Sequence, residues 1–494
     1  MNQPMIALLL CVSSVRAAQV AAVVPVTTSV TTPVVLQTGS AQTNSEGTSS
    51  TTEQVVAAES AVEQITTTTD TADPMESFLE RLRQFQSFGT EDGQISFNAD
   101  LWLTLDYMVF STPPPGFIQT SNGQIFAPTL SGLFTLDISK HLEFVFLGLV
   151  NRGFDPTETS VQSQPAEYYT QLTPFDTPVL NFKGGKFQTA FGQWTNRHFS
   201  TQNSLINAPM MYGQMTSVTD GNGGASIAPN TSGLVRRKTS AVPVPPVTKW
   251  IPIVWGPSYA SGFQLNGTVG TLQQLDWAFE MKNASLSSRP QEWDLWNRGF
   301  NYPTFTGRAG FRPDAAWNIG VSGSSGSYIS QAGYGKYSAP HTSGKPAAGS
   351  SISDARQTVI GTDISYAHGP LELWSEFAWS QYSIPNTTLT GKNTSSGDVG
   401  AYSYFVEGKW KFMPQFWLSG RWNQQLYSNV TQNQGTPNFG SETSWYNNLW
   451  RADACLGFKI NRFTQFKVQY SYTEEAGNVD PGQNLFAVEL VIQF

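Results

Sequence analysis

The chain has 494 residues, of which 39% are hydrophobic, 13% aromatic and 13% charged, with a formal net charge of −8. So low a charged fraction, against ~25% in ordinary soluble domains, combined with a mean hydropathy of only −0.25, excludes both a typical soluble domain and a bundle of membrane-spanning helices. The acidic balance also excludes nucleic acid as a partner, because phosphate contacts need a basic surface.

The first apolar run, Met5 to Val15, is too short to span a bilayer and precedes Ala17 and Ala18. That is the pattern of a signal peptide over residues 1–18, although the leading Met-Asn-Gln-Pro carries no positive charge. Residues 19–72 are dominated by Thr, Val, Ser and Ala, with four consecutive threonines at Thr66 to Thr69. Such a composition buries too little apolar surface to offset its ordering entropy, so a low-complexity periplasmic linker is expected. Residues 73–88 then read as a short amphipathic helix. Asp73 supplies the cap, Pro74 the first helical position, and Met75, Phe78, Leu79, Leu82 and Phe85 a single stripe. One stripe suits packing on a barrel rim; entering the lumen as a plug and joining protomers are the alternatives.

From residue 94 to 494 one pattern repeats. Ile95, Phe97, Ala99, Leu101, Leu103 and Leu105 alternate with Ser96, Asn98, Asp100, Trp102, Thr104 and Asp106, the period of a strand with one apolar face and one polar face. Further strands are expected in pairs across short turns at Lys140-His141, Gly184-Gly185, Pro313-Asp314, His368-Gly369-Pro370, Met413-Pro414 and Asn461-Arg462, and between Val269 and Leu275. The intervening connections are long, among them 153–178, 193–262, 283–303 and 324–356. Short turns on one rim and long loops on the other predict an all-β fold, a transmembrane antiparallel β-barrel of about 16 strands with both termini periplasmic. The last strand, Asn484 to Phe494, has the apolar parity Phe486, Val488, Leu490, Ile492 and Phe494. Its terminal Phe494 is expected to be the signal that closes the barrel. Tyr107, Trp379, Tyr402, Trp422, Trp450 and Tyr470 fit the aromatic girdles at the two interfaces.

Strand parity also assigns the lumen. Asp100, Asp106, Asp137, Glu143, Glu372 and Glu376 are the acidic candidates for lining a pore, and Lys409, Lys411, Arg421, Arg451 and Lys467 the basic ones. Segregated on two arcs they would set a transverse field, whereas paired between neighbouring strands they would only keep the wall hydrated. The 193–262 connection exceeds what a surface loop needs. Its Arg236-Arg237-Lys238 triplet and Pro-rich Ala241 to Val247 are expected to fold inward as a constriction; an external lid or subunit contact is the alternative. Four scattered histidines, and a lone Cys455 once Cys11 is removed with the signal peptide, predict no metal site, no cofactor and no catalytic residue.

Gly184 to Gly192, G-G-K-F-Q-T-A-F-G, followed by Asn196 to Tyr212, resembles the strand-to-loop passage of the phosphate-selective (O/P) type of Gram-negative outer-membrane porin. The local match covers about 30 residues; the architectural one covers the whole barrel and is shared by many porins. The resemblance implies a channel rather than an enzyme. Its partners would be outer-membrane lipid, small hydrophilic solutes or ions and the barrel-assembly machinery, with a homotrimer as one possible assembly. The abundant acids depart from the family's basic constriction, so phosphate specificity does not carry over. The expected function is passive diffusion through a water-filled barrel narrowed by the long loop. A non-conducting surface barrel, acting as adhesin, receptor or scaffold, is the second reading, and a rim hydrolase using His198 or His341 the third.

Overall fold

The computed structural model describes residues 87–90, 93–110, 123–151, 161–221, 234–235, 250–271, 273–289, 300–329, 345–346, 352–384, 387–388, 397–431, 440–476 and 482–494. The signal peptide, the linker and residues 73–86 of the expected helix lie outside them. Its last two positions, Ser87 and Phe88, belong to a three-residue strand, Ser87–Gly89, paired antiparallel with Ser96–Asn98. Phe88 packs there against Phe97 at 5.5 Å between ring centroids.

Sixteen long strands form one closed antiparallel sheet. They are β1 (Ile95–Phe110), β2 (Gln124–Ile138), β3 (Leu142–Asn151), β4 (Gln162–Leu172), β5 (Asn181–Phe187), β6 (Ala260–Val269), β7 (Gln274–Lys282) and β8 (Thr304–Arg312). They continue with β9 (Trp317–Ser327), β10 (Arg356–His368), β11 (Leu371–Ile384), β12 (Gly397–Met413), β13 (Phe416–Tyr427), β14 (Leu449–Lys459), β15 (Thr464–Glu475) and β16 (Gln483–Gln493). Each pairs with its neighbours in sequence, and β16 closes on β1 with Trp102 opposite Gln493 and Phe110 opposite Leu485. The Phe494 N–H extends this seam by donating to the Leu101 carbonyl at 2.8 Å. Closure leaves no free sheet edge, the condition for a sheet to cross hydrocarbon.

The outward parity is apolar all the way round. Phe146, Phe279, Val321, Ile360, Val406 and Leu456 are among its exposed residues, a continuous band far larger than soluble monomers leave in water. Aromatic pairs sit near the strand ends. Trp422 stacks on Trp450 at 4.7 Å, and Phe416 on Phe458 at 4.4 Å. Short connections carry turn chemistry. Asp314 accepts hydrogen bonds from the Ala316 and Trp317 amides, Asn461 caps Phe463, and Gly369 takes φ +57°. This is the architecture of an outer-membrane-type barrel.

The expected number of strands is right, but through two compensating errors around β4 and β5. The hairpin expected at Gly184-Gly185 is absent: both glycines lie inside β5, paired with Thr170 and Tyr169 of β4. The stretch expected to be loop, 153–178, contains β4 itself, Q-S-Q-P-A-E-Y-Y-T-Q-L. Polar residues on both parities and Pro165 hide this strand, and a register shift opposite Leu147 and Gly148 accommodates it. Gly185 has φ +139°, and a Cβ there would lie 2.2 Å from the Tyr168 carbonyl oxygen. Gly185→Ala should therefore destabilise the barrel on the order of 1–3 kcal/mol. The check is the urea midpoint of the heat-modifiable folded band, with Gly184→Ala, whose nearest contact is 3.4 Å, as the tolerated control.

Candidate functional site: the inner wall and its inward loop

The described parts of the connection from β5 to β6, residues 188–259, stay inside the barrel. They lie against the inward parity of strand after strand. At its start, the Thr189 hydroxyl and the Ala190 N–H both donate to Glu280 of β7 at 2.7 Å. The chain then crosses the lumen. Glu376 of β11 accepts from the amides of Gln193 and Trp194 at 2.8 and 2.6 Å, and its other oxygen accepts from the Tyr212 hydroxyl at 2.5 Å. Arg197 makes a two-pronged contact with Glu407 of β12, at 2.7 and 3.2 Å. Lys467 of β15 donates to the Ser200 carbonyl at 2.6 Å. Gln469 of the same strand accepts from the Ile206 N–H at 2.6 Å. Arg421 of β13 donates to the carbonyls of Asn207 and Ala208, and Arg451 of β14 reaches Ala208 as well.

Sequence around these contacts explains why the loop can lie there. Residues 199–209, F-S-T-Q-N-S-L-I-N-A-P, are largely free of regular backbone hydrogen bonding, so their N–H and C=O groups are available to wall side chains. Beyond Pro209, Met210–Gly213 forms one helical turn, and Met210, Met211, Tyr212, Met215, Ile251, Ile253, Val254 and Trp255 become part of one buried apolar cluster. Trp194 and Tyr212 lie 4.5 Å apart within it. Other connections complete the cluster, with Tyr328, Ile352, Trp445 and Tyr446 packed into it. Each such side chain contributes roughly 1.5–3 kcal/mol on burial, so the loop has a core of its own inside the barrel.

The candidates assigned by parity fall into three groups. Glu376, Arg421, Arg451 and Lys467 point inward but are engaged by the loop. Arg421 also bridges Glu407 and Asp453 at 3.4 and 3.0 Å, Arg451 meets Asp453 at 3.0 Å, and Lys467 meets Glu489 at 2.6 Å. Toward the short-turn rim, Glu372 holds Lys409 at 3.2 Å and Lys411 at 2.6 Å, and Asp137 lies directly across from Glu143 while accepting from Ser96. Asp100 and Asp106 share the inward face of β1 with Trp102 and Thr104, and both are partly buried. The two arcs of opposite charge are thus largely resolved into neighbouring pairs. Arg236, Arg237 and Lys238 lie outside the described residues, and the adjacent Leu234 and Val235 are buried in the apolar cluster.

Strand parity also turns Glu407, Asp453 and Glu489 inward, and the structure makes each the ion-pair partner of buried Arg421 or Lys467. What parity does not reveal is that the wall from β1 to β4 carries an apolar patch inside. Trp102, Leu147, Ala166 and Val491 are buried there beneath Tyr259, with Leu133, Leu149 and Phe199 alongside. An inward face covered by a folded loop has no water to satisfy, so its residues need not be polar. Between this wall and the loop lies a cavity of about 180 Å³, lined by Trp102, Asp106, Leu149, His198, Phe199 and Tyr259 among others.

His198 seats the loop beside that cavity. Its Nδ1 contacts the Thr195 carbonyl and its Nε2 lies 2.7 Å from the Tyr259 hydroxyl. Burial pushes the imidazole down from 6.5 to about 4, against a smaller upward pull from the Thr195 carbonyl. The unfolded loop therefore binds the proton more readily than the seated one. The contribution of neutral His198 is complete above pH ~6.5 and is lost as pH falls through about 4.

Comparison with known proteins gives distant neighbours. No family model and no curated protein matches the chain. Among solved structures it is similar to OmpT, an outer membrane protein of Vibrio cholerae, at 7% identity over 83% of this chain and 100% of that one, TM-score 0.44. It is similar to the outer membrane channel DcaP of Acinetobacter baumannii at 11% identity, 82% and 99% coverage and TM-score 0.46. For the anion-selective porin from Comamonas acidovorans the values are 9%, 81%, 100% and 0.46.

Two outcomes follow from the anchoring. Glu376→Ala strands three buried donors at about 1–3 kcal/mol each, and should release the loop while leaving the sheet closed. Limited proteolysis should then cut within residues 188–259 of a barrel that still migrates as folded. Lowering pH from 7 to 4 should raise the same protease sensitivity in the wild type, and His198→Gln, which cannot titrate, should remove that pH step.

Proposed function

We propose that this chain is an outer-membrane porin through which small hydrophilic solutes or ions diffuse passively, along the part of the lumen that the 188–259 loop leaves open. The observation that carries the reading is the loop itself, bonded to the inner faces of β7, β11, β12, β13 and β15 while a cavity remains beside β1–β3. A loop held by that many wall side chains sets a fixed bore, and a fixed bore sorts solutes by size and charge without cofactor or energy input. Lipid contacts the apolar belt. Insertion by the barrel-assembly machinery and a trimeric assembly belong to the same reading.

One observation favours a non-conducting surface barrel instead: the apolar cluster that joins the loop to Tyr328, Trp445 and Tyr446 occupies lumen that a wide pore would leave to water. Planar-bilayer recording separates the two. The porin reading expects discrete current steps from the purified full chain. It also expects at least a twofold larger step, about the scale of an opened bore, when residues 194–255 are replaced by a short Gly-Ser linker. Folded barrel that inserts and stays silent in both forms would establish the surface role.

A further inference from the structure

The space between β1–β3 and the inward loop is built in rows. On the wall, Trp102, Ser131 and Leu149 stand side by side on three neighbouring strands, and Thr104 stands beside Thr129 in the next row. The loop faces them with Phe199, Ser200 and Tyr259 across a cavity of about 180 Å³. Trp102 meets Phe199 edge-on, 5.1 Å between centroids and 75° between planes, so aromatic surface from wall and loop bounds the same space.

The hydroxyls on this lining lack partners. Thr104 and Ser131 are only 3% and 2% exposed, yet no described residue hydrogen-bonds to their hydroxyls, nor to those of Thr129 and Ser200. Ser200 is held through its carbonyl instead, which accepts from Gln465 and Lys467 at 2.6 Å. The charges, by contrast, are matched. Asp106 stands opposite Glu489 and is hydrogen-bonded to it, so the two carboxyl groups hold a proton between them, and Lys467 meets the remaining charge at 2.6 Å. His198 and Tyr259 are bonded to each other at 2.7 Å. Among the described residues, what is left to recognise a solute is a set of unpaired hydroxyls beside aromatic rings, without net charge.

We propose that this cavity binds one small neutral polyol, the size of a single pentose, with its hydroxyls on Thr104, Thr129, Ser131 and Ser200 and its C–H surface on Trp102 and Phe199. A hydroxyl both donates and accepts, so a wall that carries several of them suits a solute that carries several of its own. The C–H surface of such a solute leaves water for the aromatic rings. An ion would find no counter-charge, since Asp106, Glu489 and Lys467 already satisfy one another. An apolar solute would leave the buried hydroxyls unpaired, at a cost in free energy. The volume of about 180 Å³ matches about six waters at roughly 30 Å³ each, room for one small ring and not for a chain of them. The inference rests on the porin reading for the meaning of the site, a resting place on the solute path, and deepens it by naming a solute class.

D-Xylose is the probe, and D-glucuronate, a similar ring bearing a carboxylate, is the control. Saturation-transfer NMR on the folded full chain, in a detergent without a sugar headgroup, should show transfer to xylose above that in empty micelles, and at least about fivefold weaker binding of glucuronate. The double variant Thr104→Val, Thr129→Val keeps both side-chain shapes and removes both hydroxyls; it should raise the xylose dissociation constant at least about fivefold. Ser200→Ala, a loop change that leaves every strand residue in place, should raise it about threefold. No transfer beyond empty micelles, glucuronate bound as well as xylose, or an affinity unchanged by these variants in barrels that still run as folded would overturn the assignment. The same samples in bilayers keep the two readings apart. Current steps without xylose binding remove the site and leave the porin, whereas xylose binding by a barrel without current steps removes the porin and leaves the site.

Discussion

A carboxylate withdrawn from water must be given donors or a counter-charge, at a cost of several kcal/mol if it finds neither. Inside this barrel three such acids take donors from the inward loop. Glu376 is bonded to two loop amides and a loop tyrosine, Glu280 to a loop amide and hydroxyl, Glu407 to a loop arginine and a loop serine. These wall acids and the 188–259 loop are mutually required. Without the loop the acids would need water, and without the acids the amides of Ala190, Gln193 and Trp194 would be unpaired inside a protein. The barrel wall is closed by its own strand pairing, but what occupies its lumen is set by this exchange of hydrogen bonds.

The loop's placement changes what the wall residues do. Charges that face a water-filled pore act through a field on passing ions. Charges fixed by backbone groups and by each other, as in the Glu407–Arg421–Asp453–Arg451 series, are largely neutralised locally and act as struts. In the porin proposed above, selectivity passes to the residues that the described part of the loop does not cover. Toward the short-turn rim these include Lys411, whose side chain is half exposed beside Glu372, and deeper in the lumen they are the lining of the cavity beside β1.

The barrel was legible in the sequence because a lipid-facing strand must repeat its apolar residues every second position, and because short turns carry Gly, Pro, Asp and Asn for conformational reasons that are local. Legibility failed at β4, where the outward residues are Tyr168 and Thr170 and the inward ones are Glu167, Tyr169 and Gln171. A strand whose outer face is an amphipathic tyrosine and a threonine has no period-two signal. At Gly184-Gly185 the failure was of the opposite kind. Two glycines have the composition of a turn, yet both lie within β5, where Gly185 serves close strand approach and a positive φ.

The site was half legible, for a reason that lies in the physics. Parity gives the side to which a residue points, so Glu376, Arg421, Arg451 and Lys467 were placed on the inner face correctly by period alone. It does not give what stands opposite, because that depends on a segment more than 150 residues away along the chain from Glu376, as the Gln193–Glu376 and Trp194–Glu376 contacts are. The apolar inward residues of β3, Val145, Leu147 and Leu149, are the trace such a segment leaves in sequence. In a strand whose outward parity, Phe144, Phe146 and Gly148, already supplies the lipid face, an inner face that is also apolar has no use for water. It implies a covering element inside the barrel, and the 72-residue connection between β5 and β6 provides one through Phe199 and Tyr259.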